Sequence, residues 1–190
     1  MNILAIDTTS SGLSIALVKG EETYSFTKQI GKSGHSATLM PEIDNMLKSH
    51  DVGVNDIDVC AVNVGPGSFT GIRIGVSAMT AIAFATGAKR VAVTTFEFIA
   101  HQRGEILAAV DAGHGNTYLA KCENGKVSSA SFCEAGENID LKNAEYQPLK
   151  SVDETLAEVV SQKAKNGEFV NVFEPFYMRK SQAEREKDEV

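Results

Sequence analysis

Val62-Asn63-Val64-Gly65-Pro66-Gly67-Ser68-Phe69-Thr70-Gly71-Ile72-Arg73-Ile74-Gly75 reads as strand, glycine-rich loop and helix. Residues 57–64 form a short β-branched apolar run, the signature of a buried strand. Gly65, Pro66, Gly67 and Gly71 stop that run and supply backbone freedom that a Cβ removes. Ser68 or Thr70 caps the following helix by accepting from an orphaned backbone N–H. Such a loop suits either an anion at the helix N-terminus or a tight packing turn. Neither standard phosphate motif fits. No Lys-Ser/Thr follows the glycines, and the third glycine falls one place late for G-x-G-x-x-G.

Upstream, residues 3–7, 13–18 and 23–30 read as a three-stranded antiparallel meander. Asp7 ends the first strand beside Thr8, Thr9 and Ser10. That turn suits a phosphate with a metal or water on Asp7, or equally a side chain satisfying its own backbone. Residues 36–49 follow a helical period through Leu39, Met40, Ile43, Met46 and Leu47, with Pro41 placed in the first turn. The stripe reads equally as core or as partner groove. The helix over 72–86 is rich in small residues, and Gly75 in its interior implies close packing.

Downstream, residues 91–94 read as a strand and 95–101 as a short helix. The pattern then restarts. Residues 106–111 end in Asp111 as residues 3–7 end in Asp7, and strands at 117–122 and 127–132 follow. This duplication predicts two related lobes with Asp7 and Asp111 facing each other across a cleft. Residues 134–150 are polar and weakly patterned, 151–164 form a helix, and 169–172 a further strand. The expected division is 1–103 for the first lobe, 104–177 for a smaller second lobe, and 178–190 for a charged tail.

The 190 residues include 43% hydrophobic and 23% charged side chains, as in a soluble globular protein. A net charge of −7 argues against unaided binding of nucleic acid, which needs a clustered positive field. The three cysteines show no C-x-x-C spacing and fit a reducing compartment. Met1 leads directly into a strand without a basic leader, and no apolar run nears the roughly 20 residues that span a bilayer. These features point to the cytoplasm.

Leu4-Ala5-Ile6-Asp7-Thr8-Thr9, His35-Ser36 with Leu39 and Pro41, and the G-P-G-S-F-T-G-x-R-x-G run at 65–75 closely resemble the TsaB (YeaZ) family. Val110-Asp111-Ala112 with Tyr118, and Pro175 with Tyr177 and Arg179, match its later landmarks. The resemblance implies an α/β actin-like ATPase (ASKHA, RNase H-like) fold of two lobes with mixed sheets, the second lobe reduced. It implies a non-catalytic scaffold for N6-threonylcarbamoyladenosine formation at position 37 of ANN-decoding tRNAs. The scaffold pairs with the catalytic paralogue TsaD, joins the ATPase TsaE, meets tRNA indirectly, and forms homodimers when alone.

The same resemblance locates the residues. Asp7, Thr8, Thr9, Ser10 and Asp111 take positions like the phosphate loops, with ATP or ADP entering only in the complex and no intrinsic cofactor. Thr95 and Ile99 fall where the catalytic paralogue carries its two metal-binding histidines; neither replaces imidazole. No catalytic or metal-ligating residue is therefore expected. Helical spacing plus the resemblance put the partner interface at Leu39, Ile43, Met46, Ile72, Gly75, Met79 and Ala83. On that placement Gly75→Leu breaks pairing and spares the fold. The other reading is a stand-alone ATPase or small-molecule kinase with Asp7 and Asp111 around Mg²⁺-nucleotide. A glycoprotease-like metallopeptidase is weaker.

Overall fold

A computed structural model describes residues 1–30, 34–137 and 141–179. The predicted tail lies outside the described residues from 180 onward. Strands β1 (Asn2–Asp7), β2 (Gly12–Lys19) and β3 (Glu22–Gln29) form the antiparallel meander. Strands β4 (Val59–Asn63) and β5 (Lys89–Val93) add in parallel beside β1, giving the order β3-β2-β1-β4-β5. Helices α1 (His35–Ser49) and α2 (Phe69–Thr86) pack on one face, and α3 (Thr95–Ala100) follows β5.

A second sheet holds β6 (Glu105–Gly113), β7 (Asn116–Glu123), β8 (Lys126–Cys133) and the two-residue β9 (Ala144–Glu145). Its order, β8-β7-β6-β9, repeats the first sheet without its last strand. Each sheet is an antiparallel meander whose first strand also gains a parallel neighbour. Helix α3 covers one face of this second sheet through Phe96, Ile99 and Ala100.

Period-two alternation decides the layering. In β1, Leu4 and Ile6 face α1 and α2, while Ile3 and Ala5 face the opposite side. That side is covered by α4 (Val152–Lys165) through Leu156, Val159 and Val160. Here the expected assignment of 104–177 to one lobe needs correction. Helix α4 follows the second sheet in the chain yet packs on the first, because β1, β2 and β5 are apolar on both faces and need two covers.

The chain end returns the same way. Val170 makes one antiparallel bridge to Arg90, so the strand expected at 169–172 is a single bridge at the sheet edge. Phe176 N–H donates to Val64 O at 2.8 Å. Tyr177 then stacks on Phe69 with ring centroids 4.3 Å apart, and Arg73 Nε donates to its hydroxyl at 3.1 Å. Two further expectations change. Pro41 lies inside α1, six residues past its first residue, and Met40 is exposed while Leu39, Ile43, Met46 and Leu47 are buried.

Candidate functional site

The glycine-rich loop closes against the β1–β2 turn. A Cβ on Gly67 would lie 2.5 Å from Thr9 O, one on Gly71 1.9 Å from Thr8 O, and one on Gly75 2.4 Å from Thr8 Oγ1. Thr8 Oγ1 in turn donates to Gly71 O at 2.7 Å, and Ser68 N–H donates to Thr9 O at 2.6 Å. Ser68, not Thr70, is the cap: its hydroxyl accepts from Gly71 N–H at 3.2 Å. Two of the amides at this helix N-terminus, those of Ser68 and Gly71, are therefore taken by the protein itself. Thr8 is buried under α2, which removes it from the expected nucleotide-binding set.

Two aspartates end equivalent strands in equivalent turns. Thr9 N–H donates to Asp7 Oδ1 at 2.8 Å, and Gly113 N–H donates to Asp111 Oδ1 at 2.8 Å. Both line one cleft of about 550 Å³ between the sheets, together with Thr9, Ser10, Gln29 and Ser68. Asp7 is buried and Asp111 exposed. Burial pushes the Asp7 carboxyl above the ordinary carboxylate range, partly opposed by bonds from Thr9 and Asn63. The described residues that line the cleft include these two carboxylates and no Lys, Arg or His, and His35 stands near enough to draw the Asp7 carboxyl down a little. Among the described residues a bound polyphosphate would find no cationic side chain in the lining itself.

Asn63, at the end of β4, joins these parts and went unassigned in the sequence. It is fully buried; its Nδ2 donates to Thr9 Oγ1 at 3.2 Å and to Thr95 Oγ1 at 3.1 Å, while its Oδ1 accepts from Gly65 N–H at 2.9 Å. The only sequence signal is an amide closing an apolar run. Thr95 and Ile99 both border the cleft. The Thr95 hydroxyl donates to Pro66 O at 2.7 Å, and Ile99 packs in the core under the second sheet. A neutral, already bonded hydroxyl and a hydrocarbon do not fit a metal ion. Among the described residues no cluster of three His, Cys, Asp or Glu side chains stands elsewhere to hold one.

The seven interface candidates are placed differently from expectation. Leu39, Ile43, Met46, Ile72, Gly75, Met79 and Ala83 are all buried within the single chain, so they form core and not surface. Gly75 contacts Thr8 and Val62, so Gly75→Leu would disrupt the fold itself. The opposite stripe of α2 is the surface. Only six of its eighteen residues are buried, and the exposed ones run from Thr70, Arg73, Ser77 and Thr80 to Ala81, Phe84 and Ala85. Phe84 stands 83% exposed, flanked by exposed Ala81 and Ala85, and Met40 on α1 is 50% exposed. Contrary to the expectation from the sequence, α2 is by length and composition apolar enough to cross a membrane. Exposed apolar side chains grouped in this way mark an interaction surface.

A five-stranded mixed sheet, a second meander repeating its order and paired aspartate turns across the cleft define a two-lobed α/β protein of the actin-like, RNase H-like class. The sequence matches the family described as "TsaD: tRNA N6-adenosine threonylcarbamoyltransferase" over residues 27–158. The chain belongs to the TsaB (YeaZ) branch of that family.

Relatives named tRNA threonylcarbamoyladenosine biosynthesis protein TsaB are similar to it. The Haemophilus influenzae protein is 30% identical over 136 residues, covering 68% of this chain and 57% of that protein. The Bacillus subtilis protein is 34% identical over 131 residues, covering 66% and 57%. The chain thus spans a little over half the length of the curated relatives it matches. Among solved structures, a Pseudomonas aeruginosa protein described as similar to peptidase YeaZ aligns with a TM-score of 0.77 at 22% identity, covering 94% of this chain and 99% of that one. YeaZ from the same organism aligns at 0.71 and 22%, covering 89% and 94%. These last two likenesses establish the fold.

Proposed function

We propose that this chain is a non-catalytic scaffold in forming N6-threonylcarbamoyladenosine at position 37 of ANN-decoding tRNAs, working in the cytoplasm. It pairs with a TsaD-type transferase through the outer faces of α1 and α2 and helps bring a TsaE-type ATPase to the complex. The observation that carries this reading is the exposed apolar group Ala81, Phe84 and Ala85 near the C-terminal end of α2, with Phe84 83% exposed. Large exposed aromatic side chains among small neighbours supply anchors for a helix-to-helix contact. The family match supports the partner class. In this reading the transferase, of the same family, offers a matching helix pair and the two chains meet about a pseudo-twofold axis. The same face serves a homodimer when the partner is absent. The TsaB name of the relatives supports the pathway.

The stand-alone kinase or ATPase reading draws on the cleft between Asp7 and Asp111. It is weaker, because no cationic side chain lines that cleft among the described residues and the Ser68 and Gly71 amides are engaged by Thr9 and Ser68. Nucleotide enters only with the partner. The peptidase reading needs a metal that Thr95 and Ile99 do not fit. Acidic net charge leaves most tRNA contact to the partners.

The test is size-exclusion chromatography with light scattering, using this chain and the TsaD-type protein of the same cell. The proposal expects a stoichiometric complex that Phe84→Glu weakens at least about tenfold. Undiminished pairing of a folded Phe84→Glu variant would overturn this placement of the interface.

A further inference from the structure

The far wall of the interlobe cleft is a short stretch of chain held by side-chain bonds. Tyr146, Gln147 and Pro148 line the cleft together with Asp7 and Ser10. They connect β9, on the second sheet, to α4, on the first. Burial does little to fix this stretch, since Tyr146 is 43% and Leu149 59% exposed.

Polar bonds hold both ends. Arg103 Nη1 pairs with Glu145 Oε2 at 2.5 Å, and Nη2 donates to Gln147 O at 3.1 Å. At the other end Lys150 Nζ pairs with Glu158 Oε1. Glu158 Oε2 is fixed from the opposite side by His101 Nε2 at 2.9 Å and Gln102 Nε2 at 2.9 Å. Residues 101–103 thus clamp both ends of the stretch, directly through Arg103 and through Glu158 for His101 and Gln102. These residues are themselves the first connection between the two sheets.

Arg103 shows why this clamp can open. Its side chain is only 14% exposed, and Nε is buried without a hydrogen-bond partner among the described residues. A buried guanidinium with an unmet donor carries a desolvation cost. Lifting residues 145–147 would return that donor to water while breaking the two bonds from Nη1 and Nη2. The gains and losses oppose each other, which is the condition for a low-energy local opening.

We propose that residues 145–150 form a movable strap in the wall of the interlobe cleft, held down by Arg103 at one end and Glu158 at the other. Its lifting widens the cleft that Asp7, Thr9 and Ser10 also line and is independent of the pairing face on α2.

The chain has no tryptophan, so Tyr146→Trp places a single reporter on the strap. Acrylamide quenching of that reporter in the full chain measures strap opening. Adding Arg103→Met raises the quenching constant at least about twofold. Adding Glu158→Gln raises it as well. Salt at about 0.5 M raises it in the Tyr146→Trp protein alone, because the closing bonds are ionic and partly exposed. Reversing the pair, with Arg103→Glu and Glu145→Arg together, restores part of the protection. Circular dichroism establishes that each variant is folded; if Arg103→Met is not, Glu145→Ala replaces it. Unchanged quenching in folded variants at both ends would overturn the proposal.

Discussion

Thr8 and Gly75 meet where there is no room for a methyl group, and this contact explains much of the glycine-rich run. The added Cβ of Gly75→Ala would lie 2.4 Å from Thr8 Oγ1, whereas that of Gly71→Ala would lie 1.9 Å from Thr8 O. Each substitution alone costs about 2–4 kcal/mol. Thr8→Ala removes the clashing hydroxyl in the first case and cannot move the carbonyl in the second. Denaturant unfolding of the double variants should therefore show partial rescue of Gly75→Ala and none of Gly71→Ala. Asp7 gives a prediction in pH. Its folded carboxyl titrates above 3.8, so its contribution is full below that value and is lost as pH rises through the folded value. Asp7→Asn keeps an oxygen for Thr9 N–H and removes the buried charge. Thermal melts should show the variant more stable near pH 7, with the advantage vanishing below pH 3.8. The sequence shows that residues 65–75 turn sharply. It does not show that Thr8 is what they turn against, because that contact joins segments more than sixty residues apart.

The helical period finds both packed helices but not which stripe of α2 faces inward. Small residues stand on both sides of α2, with Gly75 and Ala83 buried and Ala81 and Ala85 exposed, so periodicity has little contrast to separate its inward and outward stripes. Burial separates them: Met79 and Ala83 go to the sheet, and Phe84 to solvent. Phe84→Glu should leave monomer stability within about 0.5 kcal/mol while it weakens pairing. Helix α4 carries a contrasting case. Burial raises the Asp153 carboxyl, but bonds from Ser25 at 2.7 Å and Thr27 at 2.8 Å outweigh it and hold the group below 3.8. Its contribution is present above that value and lost as pH falls through the lower folded one. Asp153→Ala should cost about 1–2 kcal/mol at pH 7 and progressively less in acid, as read by urea unfolding across pH. The sequence places α4 correctly as a helix and assigns it to the wrong sheet. Its apolar stripe of Val, Leu and Ala would fit either sheet, and only the unmet back face of β1 decides.

The repeated strand-aspartate-turn pattern is the feature of the whole molecule that survives translation into coordinates most directly. Asp7 and Asp111 end equivalent strands, accept from equivalent N–H groups and line one cleft. Duplication is legible because it is a comparison of the chain with itself. The lining of the cleft is less legible, since its make-up among the described residues, two carboxylates with hydroxyls and amides, emerges only when distant segments converge on it. In the function proposed above, the outer faces of α1 and α2 are one half of a larger contact, and this chain's part in modification depends on that contact. The most direct measurement is reconstitution from purified components: this chain, the TsaD-type and TsaE-type proteins, threonylcarbamoyl-adenylate precursors and unmodified tRNA. Modified adenosine is quantified with each protein omitted in turn, and with Phe84→Glu in place of the wild type. The account predicts that activity needs this chain, that this chain alone forms no product, and that Phe84→Glu behaves as an omission. Equal product without this chain would contradict it.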